Sequence, residues 1–103
     1  MYVSVATMKV KSGKHSEARK MAREWAEHVN NDLNPEHPMH VLTPRFGRVH
    51  ETIVFTQEFE SLSALDEFQR KGWSDEKFKA RRDEWFELVD VNSISYEVYA
   101  LMV

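Results

Sequence analysis

The sequence predicts an α+β domain on the split βαβ plan, a four-stranded antiparallel sheet with its helices on one face. Two observations carry this prediction. Hydropathy patterns run strand, helix, strand, strand, helix, strand along the chain, and the two halves are of similar build. A length of 103 residues allows one domain, 1–103, with a single modest core. No internal repeat or low-complexity segment interrupts the pattern.

Tyr2 to Val10 is rich in β-branched and apolar residues and stops at Lys11-Ser12-Gly13-Lys14, a strand followed by a glycine-marked turn. Ala18, Met21, Ala22, Trp25, Ala26 and Val29 then recur at helical spacing, with charged residues on the other faces. This predicts an amphipathic helix over 14–31, closed by Asn30-Asn31 and Asn34-Pro35. Met39 to Thr43 and His50 to Glu60 read as two strands, linked by Pro44-Arg45-Phe46-Gly47-Arg48. In the second of them Ile53, Phe55 and Phe59 share one face, and His50, Thr52, Val54, Thr56 and Glu58 share the other. Ser61 and Ser63 are candidate N-caps for a helix that begins with Leu62, Leu65 and Phe68. Gly72 is expected to interrupt it, and Ser74-Asp75-Glu76 reads as a fresh helix start with acidic residues in its first turn. Phe78, Arg82, Trp85 and Val89 recur at helical spacing in this second piece. The last strand is expected over Val91 to Val103.

Composition excludes several classes of function. Hydrophobic residues make up 42% and charged residues 30%, so the chain reads as globular rather than disordered. No apolar stretch approaches the ~20 residues of a membrane helix, and the N-terminus lacks the basic lead of a secretory signal. A cytoplasmic protein without membrane partners is expected. Zero cysteines remove disulfides, thiolate chemistry and cysteine-ligated metals. The net charge of −3, with 14 Lys and Arg interspersed among 17 Asp and Glu, leaves no basic stripe for nucleic acid.

The strand patterns also predict a partner. A four-stranded sheet with helices on one side has one face covered and one open. Yet the first strand is apolar on both parities (Val3, Val5; Ala6, Met8, Val10), and so is the end of the last. A half-solvated antiparallel sheet alternates cleanly. Exposing several hundred Å² of apolar sheet forgoes several kcal/mol at ~25 cal/mol per Å². A second copy of the chain is the simplest cover, so a homodimer with a lumen between two sheets is expected.

The order of elements, the turn KVKSGKHSEA (Lys9–Ala18) and the stretch RFGRVHETIVFTQEFESLSALDEF (Arg45–Phe68) resemble the dimeric α/β-barrel superfamily. Its members include antibiotic-biosynthesis-type monooxygenases and the NIPSNAP-like, muconolactone-isomerase-like and stress-responsive barrel families. The Arg-x-Gly hairpin followed by EFESL points to the NIPSNAP-like branch. The resemblance implies a ferredoxin-like fold and a barrel formed across a dimer, often around a small organic ligand; it carries no unique reaction. Haem-degrading relatives use an Asn, a Trp and a His on the second helix. The helices between Leu62 and Val89 contain no His, and Thr7 stands where an Asn would serve, which argues against haem breakdown.

Among residues that can carry chemistry, His15 and His28 read as solvated histidines of the first helix. His37 and His40, with His50, are superficially a metal set, but they cross a proline in a loop with no helix to fix their geometry, and no metal is expected. His50 and His40 are candidate general bases at the rim of a lumen, because imidazole titrates near neutral pH. Glu97 and Tyr99 share a face of the last strand and form a candidate partner pair; burial would raise the Glu97 pKa, whereas an edge position would pair it with a Lys or Arg. Arg45 is a candidate clamp for a ligand carboxylate. Trp73, at the mouth of a pocket between the broken helix and the sheet, joins Thr52, Val54 and Tyr96 as candidate ligand contacts. Three glycines and no phosphate-cradling motif disfavour nucleotides. Three readings follow. One is an enzyme needing no cofactor, acting on a small, mostly apolar molecule with the monooxygenase- or isomerase-type chemistry the resemblance implies. The second is a carrier of an apolar ligand such as a fatty acid, and the third an oligomerising domain.

Overall fold

A computed structural model describes residues 1–45 and 51–102. His50, Gly47 and Arg48, on which part of the sequence reading rests, lie outside the described residues. Four strands, β1 (Tyr2–Lys9), β2 (Met39–Leu42), β3 (Thr52–Phe59) and β4 (Ser95–Ala100), form one sheet in the order β2-β3-β1-β4. All neighbours are antiparallel. Three α-helices, α1 (His15–His28), α2 (Leu62–Ser74) and α3 (Glu76–Leu88), complete the fold, and the helices pack on one face of the sheet.

Register assigns each strand residue to a face. Ala6 lies opposite Phe55 and Tyr96, and Met8 lies opposite Ile53, so these residues face the helices together with Val41. Val3, Val5 and Thr7 lie opposite Glu58, Thr56 and Val54 on one side and Tyr99, Glu97 and Ser95 on the other, and they share the open face with His40 and Leu42. The parity expected for β3 is therefore the observed one.

The core lies under α1. Ala18, Met21 and Ala22 are buried with Val10, Ile53 and Leu88, and Ala26 and Val29 are buried with Met39. The alanines of this stripe are small enough for the helix to lie close on the sheet. Ile53, Phe59, Val29 and Val89 are the largest fully buried side chains, each contributing about 1.5–3 kcal/mol of transfer free energy. A bridge between Val10 and Val89 ties the end of α3 to the first strand. The Lys11 N–H donates to Leu88 O at 2.9 Å, and the Asp90 N–H donates to Lys9 O at 2.9 Å. Gly13, at φ +80°, supplies the left-handed residue of the turn into α1.

Several boundaries differ from the sequence reading. The first helix ends at His28 and continues as a π-helical turn, Val29–Leu33. Gly72 does not interrupt α2, which runs through it to Ser74; the break comes at Asp75, whose carboxylate accepts from the Phe78 N–H at 2.9 Å and starts α3. Glycine merely weakens a helix, whereas a side-chain cap begins a new one. Of the two candidate caps, Ser61 accepts from the Ala64 N–H at 3.1 Å. The last strand is shorter than expected, because Val91–Ser93 forms a 3-10 turn capped by Asp90. No helix among the described residues is long and apolar enough to cross a membrane.

Candidate functional site

The helix-covered side of the sheet is not filled throughout. A cleft of about 510 Å³ opens between the sheet, α1 and α3, within the ~300–1,000 Å³ range of small-molecule sites. Ala6, Met8 and Phe55 form its floor, and Met21, Ala22 and Trp25 of α1 form one wall. Phe78, Trp85 and Phe86 of α3 form the opposite wall, and Trp73 and Ile94 complete the apolar lining together with Met39. The chain has three tryptophans, and all three line this cleft. Their rings are braced rather than loose: Trp25 and Phe78 lie 5.2 Å apart between centroids, Trp73 meets Phe78 edge-on at 5.3 Å, and Phe55 meets Trp85 edge-on at 6.0 Å.

Five charged or titratable side chains, Glu24, His28, Lys77, Arg81 and Arg82, join the lining. Arg81 pairs with Glu24 across the gap between α3 and α1, and its Nε lies 3.5 Å from Glu84. The Glu24 hydrogen bond holds the Arg81 guanidinium above its already high ordinary pKa. Lys77 Nζ stands 3.9 Å from Asp32. His28 is 13% exposed in its side chain; its Nε2 lies 3.0 Å from both Asp75 carboxylate oxygens and its Nδ1 lies 3.2 Å from Asp32. Burial pushes the Asp75 carboxyl up, but hydrogen bonds from His28 and from the Phe78 and Lys77 N–H groups outweigh it and leave the carboxyl below its ordinary range. Both ring nitrogens of His28 face carboxylate oxygens, so neither is turned to the cleft as a free base.

The residues singled out in the sequence divide between the two faces. Trp73 lines the cleft and stays 60% exposed. Tyr96 is also on the helix side but outside the cleft lining; its hydroxyl accepts from Gln69 Nε2 of α2 at 2.8 Å. His40, Glu97, Tyr99 and Val54 lie on the open face, with Thr52 at its β3 end. One cross-strand row there reads His40, Thr56, Val5, Glu97. Thr52 is buried and Val54 half-buried. Arg45 is exposed after β2 and is not part of the cleft lining.

Two local expectations are corrected. Glu97 is not buried and has no basic partner among the described residues: it accepts from the Tyr99 hydroxyl at 2.5 Å and from Ser95 Oγ at 3.3 Å on an exposed strand. The same hydrogen bond pushes the Tyr99 phenol above its ordinary range. His28 is not a solvated histidine but part of the cleft rim. Its spacing from Met21 and Trp25 places it on the inward stripe of α1, and that is the signal the sequence offers. His37 stacks on Phe59 at 4.9 Å with its Nε2 2.5 Å from Glu60, on the opposite side of the sheet from His40. No group of three His, Asp or Glu side chains among the described residues is placed to hold a metal ion. Sequence reasoning does not single out Lys77, Arg81 or Arg82 as site residues. The clue lies in Arg82 falling at helical spacing between Phe78 and Trp85.

Comparison with solved structures places this architecture. An uncharacterised NIPSNAP domain protein from Burkholderia xenovorans superposes with a TM-score of 0.80 at 13% identity, over 100% of this chain and 96% of that one. A NIPSNAP family protein from Agrobacterium tumefaciens gives 0.81 at 16% identity, over 98% and 85%. A candidate antibiotic biosynthesis monooxygenase from Nitrosomonas europaea gives 0.76 at 13% identity, over the whole of both chains. The chain thus has the ferredoxin-like α+β fold of the NIPSNAP and antibiotic-biosynthesis-monooxygenase-like proteins, the branch its sequence resembles. No protein-family model matches the chain, and no curated protein does.

Proposed function

We propose that the chain binds a small, mostly apolar organic molecule in the cleft between the sheet, α1 and α3, and does so as a homodimer joined through the open face of its sheet. The cleft carries this reading: its lining is mostly aromatic and aliphatic with a few charged side chains among it, an arrangement that holds a ligand by burial and orients it by a few charges. The open face supports the dimer. Val3, Val5 and Val54 are only half-buried there and Leu42 is 50% exposed, while among the described residues no helix packs on that side to remove them from water.

Binding without turnover is the reading favoured for the cleft itself. His40, Glu97 and Tyr99 do not line it, and the histidine at its rim has both nitrogens engaged. Chemistry without a cofactor, of monooxygenase or isomerase type, has a different seat. One observation favours it: His40, Thr56 and Glu97 fall in one row of the open face, with Tyr99 bonded to Glu97. Two sheets packed face to face would bring these groups into a shared lumen.

Native mass spectrometry of the freshly purified protein tests both parts. The expected species is a dimer carrying an additional few hundred daltons per chain. A monomer at micromolar concentration overturns the dimer. Protein that carries no ligand, and whose tryptophan emission does not respond to decanoate or 1-decanol, overturns the cleft as a binding site.

A further inference from the structure

We propose that the ligand of the cleft is an organic monoanion, an apolar body ending in a carboxylate, and that Arg82 recognises its charge. The inference rests on the reading of the cleft as a ligand site and specifies what enters it. Phe78, Arg82, Trp85 and Phe86 recur at i, i+4, i+7 and i+8 on α3, and all four line the cleft. A helix packed on a sheet for stability alone would carry an apolar residue at the second of these positions. Here an arginine shares the lining with three aromatic residues of the same helix.

The three cations of the rim are not equivalent. Arg81 is held by Glu24 and lies near Glu84. Lys77 stands by Asp32, which also meets His28. Arg82 has only Asp83, whose carboxylate lies 3.8 Å from Nε, beyond hydrogen-bond length, and is 95% exposed. Among the described residues, the guanidinium of Arg82 thus has no hydrogen-bonding carboxylate, although its side chain is only 42% exposed. Its planar fork of donors matches a carboxylate in two parallel hydrogen bonds. Phe78, Trp85 and Phe86 supply the surface against which an aliphatic or aromatic body would lie. Glu24 lines the same cleft and Asp32 lies beside two of its lining residues, His28 and Lys77, so a single negative charge is accommodated better than two.

Matched probes test this. Decanoate and 1-decanol, and 3-phenylpropanoate and 3-phenylpropanol, differ in charge far more than in shape. Tryptophan emission reports their binding, because all three tryptophans line the cleft. The acid of at least one pair is expected to bind about tenfold more tightly than its alcohol at low salt, with the gap narrowing as salt rises. Arg82→Gln should weaken the acid about tenfold and leave the alcohol within twofold; Arg82→Lys should recover part of the difference. Acid and alcohol binding equally in both pairs would overturn the inference while keeping the cleft as a binding site. An Arg82→Gln variant that loses acid and alcohol alike would show that Arg82 only shapes the wall, and would also overturn it. If no probe binds, the reading of the cleft falls and this inference falls with it.

Discussion

Helices α1 and α3 lie in the same layer and are nearly equal in length, yet they meet the sheet in opposite ways. The inward stripe of α1 is built from Ala18, Met21, Ala22 and Ala26, all buried, and small side chains let the helix settle onto Val10, Ile53 and Met39. The inward stripe of α3 is Phe78, Arg82, Trp85 and Phe86, and only Leu88 at its end is buried. That stripe carries large, half-buried rings and an arginine, and a cleft opens between it and the sheet. One helix is packed for stability and the other is placed around a space. The same hydrophobic layer therefore contains both the core and the cleft.

Substitutions on the two sides should separate these roles. The largest effect is expected beneath α1: Ile53→Ala removes a fully buried side chain from the densest cluster and should cost about 2–5 kcal/mol, whereas Phe86→Ala, on the cleft wall, should cost about 1 kcal/mol or less. Urea denaturation of the two variants measures the contrast, and equal losses would mean that α3 is packed as tightly as α1.

A middle effect is expected at Asp75, where the two helices communicate through His28. Asp75→Ala removes the α3 cap and the His28 partner together, and should cost about 1–2 kcal/mol. Because the Asp75 carboxyl sits below its ordinary range in the fold, its ionic contribution is complete above an unfolded pKa of about 3.9 and is lost as pH falls through the lower folded value. Asp75→Asn keeps a capping side chain, so it should flatten the fall in stability below about pH 4 without abolishing the helix start. Denaturation at pH 6, 4 and 3 reads this out.

The smallest effect is expected at the rim. Glu24→Gln breaks the α1–α3 pair with Arg81, which is partly exposed on both sides, and should shift stability by no more than about 1 kcal/mol. It also removes a negative charge beside the cleft and releases a second guanidinium. Decanoate should therefore bind roughly threefold more tightly while 1-decanol does not change.

Much of this architecture is legible in the sequence. The apolar stripe of α1, the alternation in β3 and the glycine turn are local patterns, and local patterns translate directly into faces and periods. The start of α3 is legible from Asp75-Glu76. Gly72 misleads, because a glycine costs a helix about 1 kcal/mol and neighbours can absorb that. Trp73 lines the cleft near the helical break. The register divides the candidates that lie on strands: Tyr96 toward the helices, and His40, Val54, Glu97 and Tyr99 away from them.

The order of elements, the parity of β3 and the stripe that α1 buries all follow from spacing along the chain, so the amino-acid sequence suffices to set them. Which side chains meet across distance is settled only once the elements pack. His28 reaches Asp75 over 47 positions of chain and Arg81 reaches Glu24 over 57. Such pairings depend on how the helices lie on the sheet. So does the cleft between α1 and α3, since a space between packed elements has no signature in any one of them.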